Sequence, residues 1–170
     1  MFNKLLRENN IVAGILAIIR VYWGYSWVSA AIGKFTNGFD ASGFLTYAAA
    51  NPVMMNDQPV FGLYHKFLES VALPNAELFS IIIPIGELLV GLGLILGCLT
   101  TYAAFFGMVM NFSFLMAGTV SHNPTDILMG VFIAAAGLNA GKYGLDRWVI
   151  PYLSKVINKG KSKEETVTTA

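Results

Sequence analysis

"ELFSIIIPIGELLVGLGLILG", residues 77–97, opens on Glu77 and is then an almost unbroken apolar run with a second carboxylate, Glu87, near its middle. A helix of about 20 apolar residues spans the hydrocarbon of a bilayer, and a strand of that length has no place in an ordinary domain. A second apolar run, residues 99–118, follows almost at once, so the two predict an antiparallel helical hairpin. Working outward, residues 11–33 and 125–141 have the same character. The composition agrees: 55% of the 170 residues are hydrophobic, 12% are charged and the mean hydropathy is +0.60. Soluble domains carry about 25% charged residues. The expected fold class is therefore all-α, an integral membrane four-helix bundle. The expected domains are a membrane unit over 1–158 and a polar cytoplasmic tail over 159–170. A signal peptide is the lesser reading of the N-terminus, because the apolar stretch continues past Arg20 to about Ala31. Pro84 lies inside the second span, where a kink is expected.

Charge sets the orientation. Lys4 and Arg7 precede the first span, and Lys142, Arg147, Lys155, Lys159, Lys161 and Lys163 follow the fourth. An excess of Lys and Arg marks the cytoplasmic side, so both termini are expected in the cytoplasm of a bacterial-type plasma membrane, in a multi-pass chain. The segment 35–76 and the turn "TVSHNPT" then face outward. That segment is long and apolar, and it is expected to form short helices that close the outer end between the first and second spans. Pro124 and Thr125 are expected to start the fourth helix. A net charge of +1 gives no footprint for nucleic acid, and the single cysteine, Cys98, excludes an internal disulfide and a CxxC redox motif.

Polar residues inside the spans carry the functional reading, because a charge there is costly and needs a partner or a cavity. Measured from the expected span ends, Arg20 and Glu87 lie at matching depth, about 15 Å in, and an Arg20–Glu87 ion pair is expected. Asn111 falls near the same depth, and Asn139 lies near the inner end of the fourth span. Arg20, Trp23, Trp27 and Lys34 share one helix face. Such a wall suits a flat redox headgroup such as a quinone: indoles stack on the ring and cations bind its carbonyl oxygens. Glu87 and Arg20 are the expected catalytic pair, and Trp23, Trp27, Lys34, Asn111 and Asn139 complete the expected ligand set. The plain alternative is a buried pair that fixes helix register. The glycines of residues 86–97 read as helix packing, and His65 and His122 lack the spacing of a metal site, so no metal is expected.

Four pieces carry a resemblance: "R-x-x-x-G-x-x-x-x-x-x-x-x-G-K-F" (Arg20–Phe35), "P-x-G-E-x-x-x-G-x-G-L-x-x-G" (Pro84–Gly97), Asn111, and "G-L-N-A-G-K-Y-G-L-D-R-W" (Gly137–Trp148). The chain resembles the DoxX family of small four-helix membrane proteins, which includes the DoxD-like subunit of thiosulfate:quinone oxidoreductase. The resemblance implies a link to quinone-coupled oxidation or to redox-associated membrane complexes, with a redox partner protein. It transfers no catalytic residue, and Asp146 and Arg147 are expected as membrane-surface anchors. Three functions stand: a quinone-interacting oxidoreductase subunit, a non-enzymatic scaffold for a redox or stress-defence partner, and a small-molecule or lipid transporter. The last lacks an internal inverted repeat. Whether the chain is catalytic, and whether it forms a homo-oligomer, stay open.

Overall fold

The computed structural model describes the backbone of residues 1–168 and the side chains of residues 1–158. The side chains of the polar tail expected over 159–170 lie outside the described residues. The chain is helical almost throughout. Helix α1 (Phe2–Glu8) leads into α2 (Asn10–Asn37), whose N-cap Asn9 accepts from the N–H groups of Ile11 and Val12. The outer segment holds α3 (Ser42–Ala50), a two-residue hairpin of β1 (Met54–Met55) and β2 (Gln58–Pro59), and α4 (Gly62–Phe67). A π-helical turn (Leu68–Ala72) and a 3-10 turn (Leu73–Asn75) then lead into α5 (Ala76–Leu96). Pro74 lacks the N–H a regular ladder needs, and the two irregular turns fall around it. Helices α6 (Thr100–Met116) and α7 (Asn123–Ala136), a 3-10 turn (Gly137–Asn139) and α8 (Asp146–Thr168) complete the chain.

Two helical stretches, Asn10–Asn37 and Gly62–Leu96, are long and apolar enough to cross a membrane, and Thr100–Met116 is a shorter apolar helix. Helix α4 and the two irregular turns lead into α5 without a break in helical backbone but not in line with it, because Phe67 packs on Phe79 with ring centroids 6.2 Å apart. Pro84 sits inside α5, buried against its neighbours. The α5–α6 hairpin closes at Gly97, whose φ of 62° suits a residue without Cβ. The distribution of side chains is inverted relative to a water-soluble domain. Ile11, Ile18, Tyr22, Ile81, Leu89 and Phe105 are exposed, whereas Arg20, Glu87, Asn111, Asn123, Asp126, Asn139 and Asp146 are buried. That is the pattern expected where the solvent is hydrocarbon.

Helix α2 packs most extensively on α5, and α6 on α7. Gly24 and Gly91 allow the first contact. A Cβ at Gly91 would lie 2.8 Å from the Gly24 carbonyl oxygen and 2.7 Å from Val28 Cγ2. Small residues at such a crossing let backbones approach closely. We expect Gly91→Val to force the two helices apart and to lower the thermal unfolding midpoint in detergent; an unchanged midpoint would disprove this contact. The outer segment has its own apolar cluster of Ala41, Leu45, Ala48, Leu68, Ala72 and Ala117. It is fastened to α5 by the Ala41 N–H, which donates to Ser80 Oγ at 2.9 Å. Asp40 starts α3 by accepting from the Ser42 N–H and hydroxyl, both at 2.8 Å, and these bonds hold its carboxyl below the usual carboxylate range.

The inner ends are joined by a clasp. Arg20 Nη1 donates to the carbonyl oxygens of Leu94 and Ile95, the latter at 2.8 Å, and Nη2 donates to Tyr143 O at 3.0 Å. Asp146 accepts from the N–H groups of Leu99 and Thr100 and so caps the start of α6. It is buried, not the surface anchor expected of it. Asn139 donates to Leu6 O and Asn9 O, which ties the end of α7 to the α1–α2 junction.

Candidate functional site

The expected Arg20–Glu87 pair does not form. Lys34 Nζ instead donates to both carboxylate oxygens of Glu87 at 2.8 Å. The reason is length. With 28 residues against 21, α2 is about 42 Å long and α5 about 31 Å. The excess overhangs at the inner end, where α1 packs on α2 and Asn139 donates to the carbonyl of Asn9 at its N-cap. Arg20 therefore faces the last turn of α5 rather than its middle, and the long side chain of Lys34, from farther along α2 than the Gly24–Gly91 contact, reaches Glu87.

The Glu87 carboxylate is buried at 3% side-chain exposure, and its partner Lys34 is 24% exposed. The pair borders a cavity of about 300 Å3 under the outer segment, whose walls include Trp27, Lys34, Glu87, Asn111, His122 and Asp126. Four of these were expected ligand residues: Trp27, Lys34, Glu87 and Asn111. The other three lie elsewhere. Arg20 is in the inner clasp. Trp23 is wholly buried in the core, its indole filling the space that side chains at Gly107 and Gly130 would need. Asn139 is the joint at the inner end.

Two residues of the cavity wall, Asn111 and Trp27, carry buried donors, Nδ2 and Nε1, that have no hydrogen-bond partner among the described residues. A buried donor left unpaired costs about 1–3 kcal/mol, so an acceptor-bearing guest would recover that cost. At the rim, His122 Nδ1 lies 2.8 Å from Asp126 Oδ2; His122 is largely exposed and Asp126 is buried. This dyad went unread as a site in the sequence, where His122 reads as part of the turn before α7. Its i,i+4 spacing across the start of that helix was the available signal. Counted as charges, Lys34 balances Glu87, and Asp126 is left to His122.

A second cavity, about 280 Å3 and almost wholly apolar, shares Phe44, Ile83 and Phe114 with the first. Its other walls include Leu45, Phe67 and Met110. A chamber that holds the Lys34–Glu87 pair and a chamber without charged groups thus meet across one wall.

No curated protein and no solved structure gives a significant match to this chain. A family model does, DoxX, over residues 15–120. That stretch runs from the first turns of α2 to the end of α6 and takes in Lys34, Glu87 and Asn111. With its exposed apolar helices and its buried charges, the chain is a membrane protein of the DoxX family.

Proposed function

We propose that this protein is a quinone-interacting subunit of a membrane oxidoreductase, with the quinone headgroup held beside Lys34 and Glu87. The bundle is read as four spans, α2, α5, α6 and α7, in a bacterial-type plasma membrane with both termini in the cytoplasm. The basic residues grouped at the two ends support that orientation. The observation that carries the functional reading is the cavity walled by Asn111 and Trp27, with their unpartnered donors Nδ2 and Nε1, next to a buried ion pair.

A quinone fits this donor set. When bound, it supplies the redox chemistry, accepting two electrons and two protons, with the electrons coming from a small reductant or a partner protein. The chain's residues do the rest. Lys34, Asn111 and Trp27 present donors to carbonyl oxygens and fix the ring's orientation. Lys34 also offsets negative charge developing on those oxygens. Glu87, held in place by Lys34, accepts a proton and passes it on into the cavity. Asp126 and His122 connect that chamber to the outer surface, where protons are available. The apolar chamber bounded by Phe44, Ile83 and Phe114 receives the tail.

The test is the quinone content of the purified protein, by solvent extraction and mass spectrometry. Asn111→Leu removes one unpartnered donor and is expected to fold as well as the wild type or slightly better. We expect quinone in the wild type and at least a tenfold loss in Asn111→Leu, equivalent to about 1.4 kcal/mol of binding. Quinone absent from the wild type would overturn the reading and leave the scaffold role in its place.

A further inference from the structure

We propose that the inner end of the fold carries a separate site for a phosphate group, that of an anionic membrane phospholipid. It rests on the four-span reading above and not on the quinone. A cleft of about 330 Å3 lies between α1, the turn after α7 and α8, and its walls include Arg7, Leu138, Lys142, Asp146, Arg147 and Ile150. Three cations thus come together from three separate segments. Among the described residues, none of the three is in an ion pair. Among the described residues the only carboxylate in the wall, Asp146, directs its two oxygens at the N–H groups of Leu99 and Thr100.

The cations are held in place but not used up. Arg7 donates through Nε to Ala135 O at 3.0 Å, and among the described residues neither Nη group has a partner, which leaves both for a bidentate anion. Lys142 donates one of its three N–H groups to Asn10 Oδ1. The guanidinium of Arg147 lies 4.8 Å over the Trp148 ring and makes no hydrogen bond among those of the described residues. Like charges brought together in this way repel, and a bound anion reverses the sign of that interaction.

The rim indicates which source of phosphate the cleft takes. Leu138 and Trp148 are largely exposed beside it. Along α8, Tyr152, Val156 and Ile157 are exposed as well. In the four-span reading this is the cytoplasmic headgroup layer, where basic pockets between helices bind anionic lipid headgroups. An acyl chain lies against Leu138 and Trp148 while the phosphate meets Arg7, Lys142 and Arg147. Soluble phosphate shares the headgroup chemistry but has no use for the apolar rim.

The experiment is native mass spectrometry of the full chain, delipidated in mild detergent and offered phosphatidylglycerol, phosphatidylcholine or inorganic phosphate. We expect one phosphatidylglycerol per chain, retained at least tenfold better than phosphatidylcholine. Arg147→Gln removes a charge and no hydrogen bond of the described structure, and it is expected to weaken that retention about tenfold. The triple variant Arg7→Gln/Lys142→Gln/Arg147→Gln is expected to abolish it. Protection of the wild type by inorganic phosphate, lost in the triple variant and without lipid retention, would keep the phosphate site and assign it to the soluble ion. Equal retention of both lipids, or retention unchanged in the triple variant, would overturn the site. The quinone content of Arg147→Gln is read in the same samples and is expected at the wild-type level, so failure of the outer cavity is seen separately. The four-span reading has its own check, in which an impermeant thiol reagent modifies Leu138→Cys in a Cys98→Ala background only in inverted vesicles.

Discussion

Arg20→Met is expected to loosen the inner end of the bundle and to leave the outer cavity intact. The guanidinium satisfies three carbonyl oxygens, two on the last turn of α5 and one on the segment before α8. Hydrogen bonds to a charged group contribute about 1.5–3 kcal/mol each. Removing all three, with the buried oxygens left unpaired, is expected to cost about 3–5 kcal/mol after partial relaxation. Arg20→Lys is expected to rescue little, because one ammonium cannot reproduce a fork that joins two separate segments. Unfolding midpoints in mixed micelles read the stability, and quinone content at low temperature reads the cavity. A variant as stable as the wild type that has lost its quinone would return Arg20 to the ligand site.

The second large effect is expected at Lys34. Lys34→Met leaves the Glu87 carboxylate buried with no partner, and breaking a buried pair from one side costs about 3–5 kcal/mol. Glu87→Gln still accepts from Lys34 through its amide oxygen and is expected to cost about 1 kcal/mol. Lys34→Met/Glu87→Gln removes both charges and is expected to be more stable than Lys34→Met alone, by about 2 kcal/mol or more. A cycle of the three variants measures the coupling. Simple additivity would show that the pair is solvated and adds little to the fold.

These two predictions also mark where the sequence was legible. Apolar length and the short link at Gly97–Leu99 were enough to read the α5–α6 hairpin. The cost of polar groups in hydrocarbon was enough to pick out Arg20, Glu87, Asn111 and Asn139 as buried. Pairing was not legible, because it depends on how far one helix slides along another. The depth comparison assumed flush ends, and the overhang of α2 moved the partner of Glu87 from Arg20 to Lys34, fourteen residues along the same helix. The motif Gly137–Trp148 was visible as a pattern, yet its work is done against backbone groups of Leu6, Asn9, Leu99 and Thr100. No periodicity in the sequence reports such contacts. The apolar chamber behind Phe44 was hidden for a similar reason, since its walls come from the outer segment, α5 and α6 together.

Helix α2 is fastened to α5 at two places, by Arg20 near one end and by Lys34 near the other, about 21 Å apart along its axis. Between them the Gly24 and Gly91 backbones touch. A rod pinned at both ends and wedged at its centre can neither slide along its neighbour nor roll on it. The α2–α5 pair is therefore the fixed frame of the molecule. Any movement that admits a guest to the cavity belongs to the outer segment or to α6 and α7, and a mechanism that rocks α2 against α5 would have to break both fastenings at once.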